Sequence, residues 1–252
     1  MAIKKAEAGT LQIDALKQGR VTLTLVGTTP FYFNAMSAKA KRSLLIGGGK
    51  KTAAERKELK HDPEEEFRDS VYRLPGGETL LGFPAPGVKG AMATAALETP
   101  GVTKSSVQRL IFLPEQKIRM WGKPFLKMDV VRSADMNKTP DIRTRAFLPR
   151  WVAEVDIAFV TPTLSAHAIV SLLANAGVII GLGDYRQEKG RGSFGTFAVT
   201  GPDGGEWAEY IQTVKAEGRA VQEAAMANPV CADDDTEALM DMLTEERGRR
   251  AA

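Results

Sequence analysis

An α+β fold is predicted by three observations on the chain. Alternating apolar and polar residues mark strands at 21–26, 117–121, 152–160 and 194–199. Apolar residues at helical spacing mark helices at about 88–97 and 164–176. In order, these segments read strand, helix, strand, strand, helix, strand. That βαββαβ succession is the ferredoxin-like order, an antiparallel sheet with helices on one face.

The first strand is carried by Val21, Leu23 and Leu25 alternating with threonines, and Gly27 to Pro30 breaks it. Phe31, Tyr32 and Phe33 follow. Three adjacent aromatics are not expected to face one core, so one or two are candidates for stacking on nucleic-acid bases; burial under a neighbouring loop is the alternative. Between 37 and 60 comes a basic insertion in which Lys39, Lys41, Arg42, Lys50 and Lys51 contribute to a net +6. Its GGGKKT run does not meet G-x-x-x-x-G-K-[ST], so a nucleotide loop is rejected, and an arm ordering on a phosphate backbone fits better.

Asp62 before Pro63 and a run of glutamates predicts a short helix. The small residues from Val88 to Leu97 suit a helix packed closely on a sheet, with Lys89 beside the unpaired amides of its first turn. QRLIFL and KIRMWG read as strands. The less regular segment 122–150, with Arg143 and Arg145, reads as a protruding, thumb-like ribbon. A helix is expected over about 206–226, and Leu239, Met240 and Leu243 among seven acids make a small amphipathic tip, mobile or recruiting a partner.

Charge is distributed unevenly. The whole chain of 252 residues carries a formal +3, yet 201–246 holds twelve acids against Lys215 and Arg219, leaving +10 on residues 1–200. A basic body with an acidic tail suggests a nucleic-acid surface and an interaction tail. The single Cys231 excludes an internal disulfide and a thiolate-rich metal site, and His61 and His167, far apart, leave little for zinc. No metal or cofactor is expected. The polar start and the lack of a long apolar run predict a cytoplasmic protein without a membrane partner.

The most informative stretch is GVIIGLGDYRQEKGRGSFGTFAV, Gly177 to Val199, where Gly181, Gly183, Gly190, Gly192 and Gly195 fall within fifteen residues. Glycines allow tight turns and close backbone approach, and the interleaved Arg186, Lys189 and Arg191 point to an anionic ligand. The dinucleotide fingerprint fails because no strand precedes G-x-G-x-x-G and no helix follows. The kinase loop fails because no downstream H-R-D or D-F-G exists. A hairpin without a ligand remains the structural alternative.

The stretch resembles the glycine-rich loop of the RAMP superfamily of CRISPR-associated proteins, and GFPAPGVKGA, Gly82 to Ala91, is similar to that family's proline- and glycine-containing turn into its first helix. The likeness spans roughly residues 20–200 and implies an RRM-like palm with insertions at 37–60 and 122–150; the helical, acidic region 201–252 lies outside it and is not implied by it. It implies a backbone subunit that assembles with copies of itself along single-stranded RNA or DNA, gripping it through Lys89, Arg186, Lys189 and Arg191. Other effector-complex or replication subunits are further expected partners. Catalysis is disfavoured, since the loop after the first strand, GTTPFYFNAM, offers Asn34 and no acid, and His61 is only loosely placed for RNA cleavage. The alternative function is a stand-alone, phage-type single-stranded-DNA-binding protein of replication or recombination with a partner-recruiting acidic tail.

Overall fold

A computed structural model describes residues 15–46, 61–132, 139–189 and 192–251. In chain order its elements are β1 (Lys17–Gly27), β2 (Phe31–Tyr32), α1 (Ala38–Ile46), α2 (Pro63–Asp69), β3 (Tyr72–Arg73), β4 (Leu81–Pro84), α3 (Ala85–Ala95), α4 (Lys104–Leu110) and β5 (Ile111–Phe112). Then follow β6 (Lys117–Trp121), β7 (Phe125–Arg132), β8 (Pro140–Leu148), β9 (Val152–Thr161), α5 (Ala166–Ile179), β10 (Phe197–Thr200), α6 (Ala208–Lys215), α7 (Arg219–Ala227) and α8 (Asp234–Ala251). The protein is α+β with antiparallel sheets.

The larger sheet runs β10-β1-β9-β6-β4-β3, with β5 also on β9, and each pairing is antiparallel. Register explains the core. Leu23 lies opposite Val155 and Leu25 opposite Ala153, so the four share one face. On that face Val88 and Met92 of α3 and Ile169, Leu172 and Leu173 of α5 join them in one buried cluster. The other face is covered as well. Val26, Trp121 and Val152 are buried there under Ile211 and Val214 of α6, so the C-terminal region closes a surface that the sequence left open.

The 122–150 segment is more regular than expected: β7 and β8 pair along their length and, with β2, form a second, three-stranded sheet. The QRLIFL strand shrinks to two residues. Its first half is the end of α4, because the Thr103 hydroxyl caps that helix by accepting from the Ser106 amide at 3.1 Å. The expected single helix at 206–226 is broken around Gly218, where a Cβ would stand 2.9 Å from the Glu78 carbonyl that accepts from the Arg219 amide. Close backbone approach therefore outweighs helix continuity.

Residues 201–251 are fastened to the body. Gln222 is buried; its Oε1 accepts from the Leu80 and Leu81 amides at 2.8 and 3.0 Å, and its Nε2 donates to the Met120 and Gly122 carbonyls. The acidic tip is docked rather than free. Val230 to Ala232 bonds alongside Leu126 of β7, Asp233 pairs with Lys127, and Leu239 and Met240 pack on the core. Asp233 also accepts from the Thr236 amide at 3.0 Å and from its hydroxyl at 2.6 Å, which caps α8. Desolvation raises its carboxyl pKa, but the bonds from Lys127 and Thr236 outweigh this and hold it below the ordinary value. A depressed pKa gives stability that is present above the unfolded value, about 3.9, and lost as pH falls through the folded one. Asp233→Ala should accordingly cost about 1 kcal/mol at neutral pH. Hydrogen exchange should find the α8 amides less protected in the variant, and the difference from wild type should vanish in acid below that range.

Among the described residues no helix is long and apolar enough to cross a membrane, and no three His, Cys, Asp or Glu are placed to hold a metal.

Candidate nucleic-acid interface

The described loop glycines approach the chain itself. Gly181, Gly183 and Gly195 have φ of +73°, +83° and +73°. A Cβ on Gly195 would stand 1.8 Å from the Leu182 carbonyl, one on Gly183 2.6 Å from that of Tyr32, and one on Gly192 1.4 Å from that of Tyr185. The loop is stitched onto the turn after β1. The Gly195 amide donates to Pro30 at 2.8 Å, the Asp184 amide to Tyr32 at 3.0 Å, and the Leu182 amide to Gly195 at 2.9 Å. These four glycines thus serve the fold, and the expectation that each makes room for a ligand is corrected. Gly190 and Arg191, like Lys50 and Lys51, lie outside the described residues.

Phe31, Tyr32 and Phe33 are all buried, so none is available to a base. The expectation failed because the turn lies between two layers. Phe31 and Phe33 belong to the main core, with Phe31 edge-on to Trp151 at 5.3 Å, whereas Tyr32 meets Phe147, Tyr185 and Phe194. Burial, aided by the Asp129 carboxylate, pushes the Tyr32 phenol well above its ordinary pKa, so it stays neutral.

Arg145 is likewise withdrawn from any strand, being only 2% exposed. Its Nη1 donates to Asp184 at 2.6 Å and its Nη2 to Asp129 at 3.0 Å, while the Tyr32 and Tyr185 rings lie 5.0 and 4.5 Å from the guanidinium carbon. This planar clasp ties the glycine loop to the β7–β8 hairpin, a task for which a lysine lacks the geometry. Arg186 also bonds within the loop, donating to the Gly183 carbonyl at 2.9 Å and the Glu188 carboxylate at 2.8 Å. Lys189 ends the adjacent 3₁₀ turn.

What the structure brings together is the loop and one face of α3. Gly87, Gly90, Ala91 and Thr94 form one wall of a cleft of about 190 Å³; Gly181 to Gly183, Arg186 and Glu188 form the other. Two sequence motifs separated by some ninety residues therefore face each other. Gly87 is explained by the fold, since a Cβ there would meet the Phe83 ring at 2.7 Å, but a Cβ on Gly90 would meet nothing within 4 Å. A glycine in a helix interior costs about 1 kcal/mol relative to alanine. The packing of α3 gives no reason for that cost at Gly90.

No family model matches the chain, and no curated protein matches it. The geometry alone carries the functional reading.

On the other flank of the α3 start, Lys89, Phe112 and Pro84 line an open groove of about 680 Å³. It shares Tyr72 and Lys117 with a further hollow lined by Lys41, Arg68 and Arg73. Lys89 and Lys41, 48 residues apart, thus border adjoining depressions. Lys39, Lys41 and Arg42 lie on α1, an exposed helix that buries no side chain. Arg143 is exposed on β8, in the second sheet, and lines none of these depressions. Phe112, Lys117 and Arg73 were missed by motif reasoning. The signal for them was an isolated Phe beside Pro114 and a lysine in a predicted strand, neither specific.

The His61 ring is held between carboxylates, with Nδ1 2.8 Å from Glu66 Oε1 and Nε2 3.3 Å from Asp141 Oδ1. Both nitrogens are engaged, which suits a bridge between α2 and β8 more than a proton-transfer group.

Proposed function

We propose that this protein is a non-catalytic, sequence-tolerant binder of single-stranded nucleic acid that assembles in copies along the strand, in the manner the RAMP resemblance implies. The observation carrying this reading is the cleft where α3 meets the glycine loop. Pro84 and Pro86 have no amide hydrogen and the Ala85 amide donates to the Gln116 carbonyl at 2.9 Å, so the expected row of unpaired amides beside Lys89 shrinks to that of Gly87, while Gly90 leaves the cleft wall open to close approach. Basic Lys89, Lys117, Arg73 and Lys41 continue along the neighbouring depressions.

The sheet order supports a ferredoxin-like, RRM-like core. In the path β10-β1-β9-β6, the fourth core strand lies beside the first, then come the third and the second, with α3 and α5 on one face. Copies along a strand need a contact surface, and Leu44, Leu45 and Ile46, exposed at the end of α1, supply an apolar one. The stand-alone reading leaned on a free acidic tip, and the docking of α8 removes that support.

The experiment is titration of a labelled, unstructured strand by wild type and by two variants. Lys89→Ala with Lys41→Ala should weaken binding to all sequences alike, because phosphate contacts carry no base information. Gly90→Ala should raise stability by about 0.5–1 kcal/mol yet weaken binding, since its methyl group intrudes on the cleft. Unchanged binding by both variants would refute the proposal.

A further inference from the structure

We propose that the groove beside the α3 start is a nucleobase pocket, in which one base of the bound strand stacks on Phe112 while Lys89 and Lys117 hold the flanking phosphates. The inference rests on the proposed strand-binding function and adds the contact that recognises a base as such. β5 is only two residues long, and Ile111 takes its buried side. Strand alternation therefore turns Phe112 outward, where it is 43% exposed. The neighbouring wall is Pro84, Pro86, Leu113 and Pro114. Apolar and nearly rigid, it matches the flat face of a base and offers few groups to discriminate base edges.

Charge identifies the occupant. The Lys89 ammonium stands 5.5 Å from the Phe112 ring centroid, and the Lys117 ammonium donates to the Arg73 carbonyl at 2.8 Å on the side leading to Lys41. Lys89 lies over the ring, a cation–π contact that an entering base replaces as the ammonium turns to its phosphate, and with Lys117 it complements a nucleotide, anionic at its phosphates and apolar at its base. Glu115 at the rim repels a phosphate and confines the backbone to the two lysines. A groove of about 680 Å³ lies within the usual range for small-ligand sites. Lys89 and Gly90 are adjacent on α3, so one strand passes from the glycine cleft into this groove without leaving the helix.

The test compares a mixed-sequence strand with an abasic strand of the same length. Wild type should bind the base-bearing strand more tightly. Phe112→Ala should lose about 5- to 150-fold on that strand, the usual value of one stacked base, and nothing on the abasic one; Phe112→Trp should retain binding. A strand carrying 5-iodouracil should also crosslink to Phe112 on irradiation. Equal losses on both strands, no loss on either, or crosslinks confined to other peptides would overturn the inference. So would weaker self-association of Phe112→Ala without any strand, which would assign the groove to a second copy. If wild type binds neither strand, the strand-binding function fails first and the pocket with it; if it binds both and only the Phe112 results fail, the function stands.

Discussion

Gly195→Val is expected to lower stability by about 4 kcal/mol: roughly 1–2 from a β-branched residue in the left-handed region and 1–3 from displaced backbone. The second contribution is unavoidable because the new Cβ would meet a main-chain carbonyl, Leu182, at 1.8 Å, where no side-chain rotation gives relief. That carbonyl's own residue donates to Gly195, so the clash also opens the bond that closes the loop. Thermal unfolding should detect a fall in melting temperature of roughly 10 °C. A variant as stable as wild type would mean the loop is not closed through Leu182 and stitched to Pro30, and the anion-cradle reading of its described glycines would return.

Arg145→Ala should cost about 3 kcal/mol, the low end for breaking a buried ion pair, because Asp129 and Asp184 keep 22% and 27% exposure and water can reach them. Two carboxylates would be left facing each other across the gap, and two tyrosine rings would lose their cation. Arg143→Ala, two residues away on the same strand, provides the contrast. Exposed and without an ion pair among the described residues, it should change stability by less than about 0.5 kcal/mol. Denaturant titration of the two variants reads the difference; similar midpoints would contradict the clasp.

Those two arginines illustrate how much was legible in the sequence. Both read as cations of a basic ribbon, and nothing local distinguishes them. The partners that bury Arg145 lie 16 and 39 residues away, at Asp129 and Asp184. The strands at 117–121 and 152–160 were legible because their alternation reports burial on one face. The first four residues of β1, Lys17 to Arg20, were not, since they are held by pairing with Ala158 to Thr161 and have no apolar pattern. Glycine spacing announced close approach at 181–195 without saying what approaches, and the answer was mostly the loop's own backbone, at Leu182, Tyr185 and Gly195, with Tyr32 approaching Gly183. The aromatics of that turn read as too many for one core, correctly, but the second sheet that receives Tyr32 is assembled from β7 and β8, far along the chain. Lys89 drew attention to the α3 start in the sequence, whereas the groove next to it depends on Phe112 of β5 and Lys117 of β6, which no recognisable motif joins.

The strand-binding claim is tested most directly by measuring wild-type affinity for an unstructured single strand across a range of salt concentrations, with the matching duplex as control. Each neutralised phosphate on a single strand releases about 0.7 counterions. With at least three of Lys89, Lys117, Arg73 and Lys41 engaged, the logarithm of affinity should fall against the logarithm of salt with a slope of about −2 or steeper, and the duplex should bind more weakly. A flat salt dependence, or equal affinity for the duplex, would contradict it.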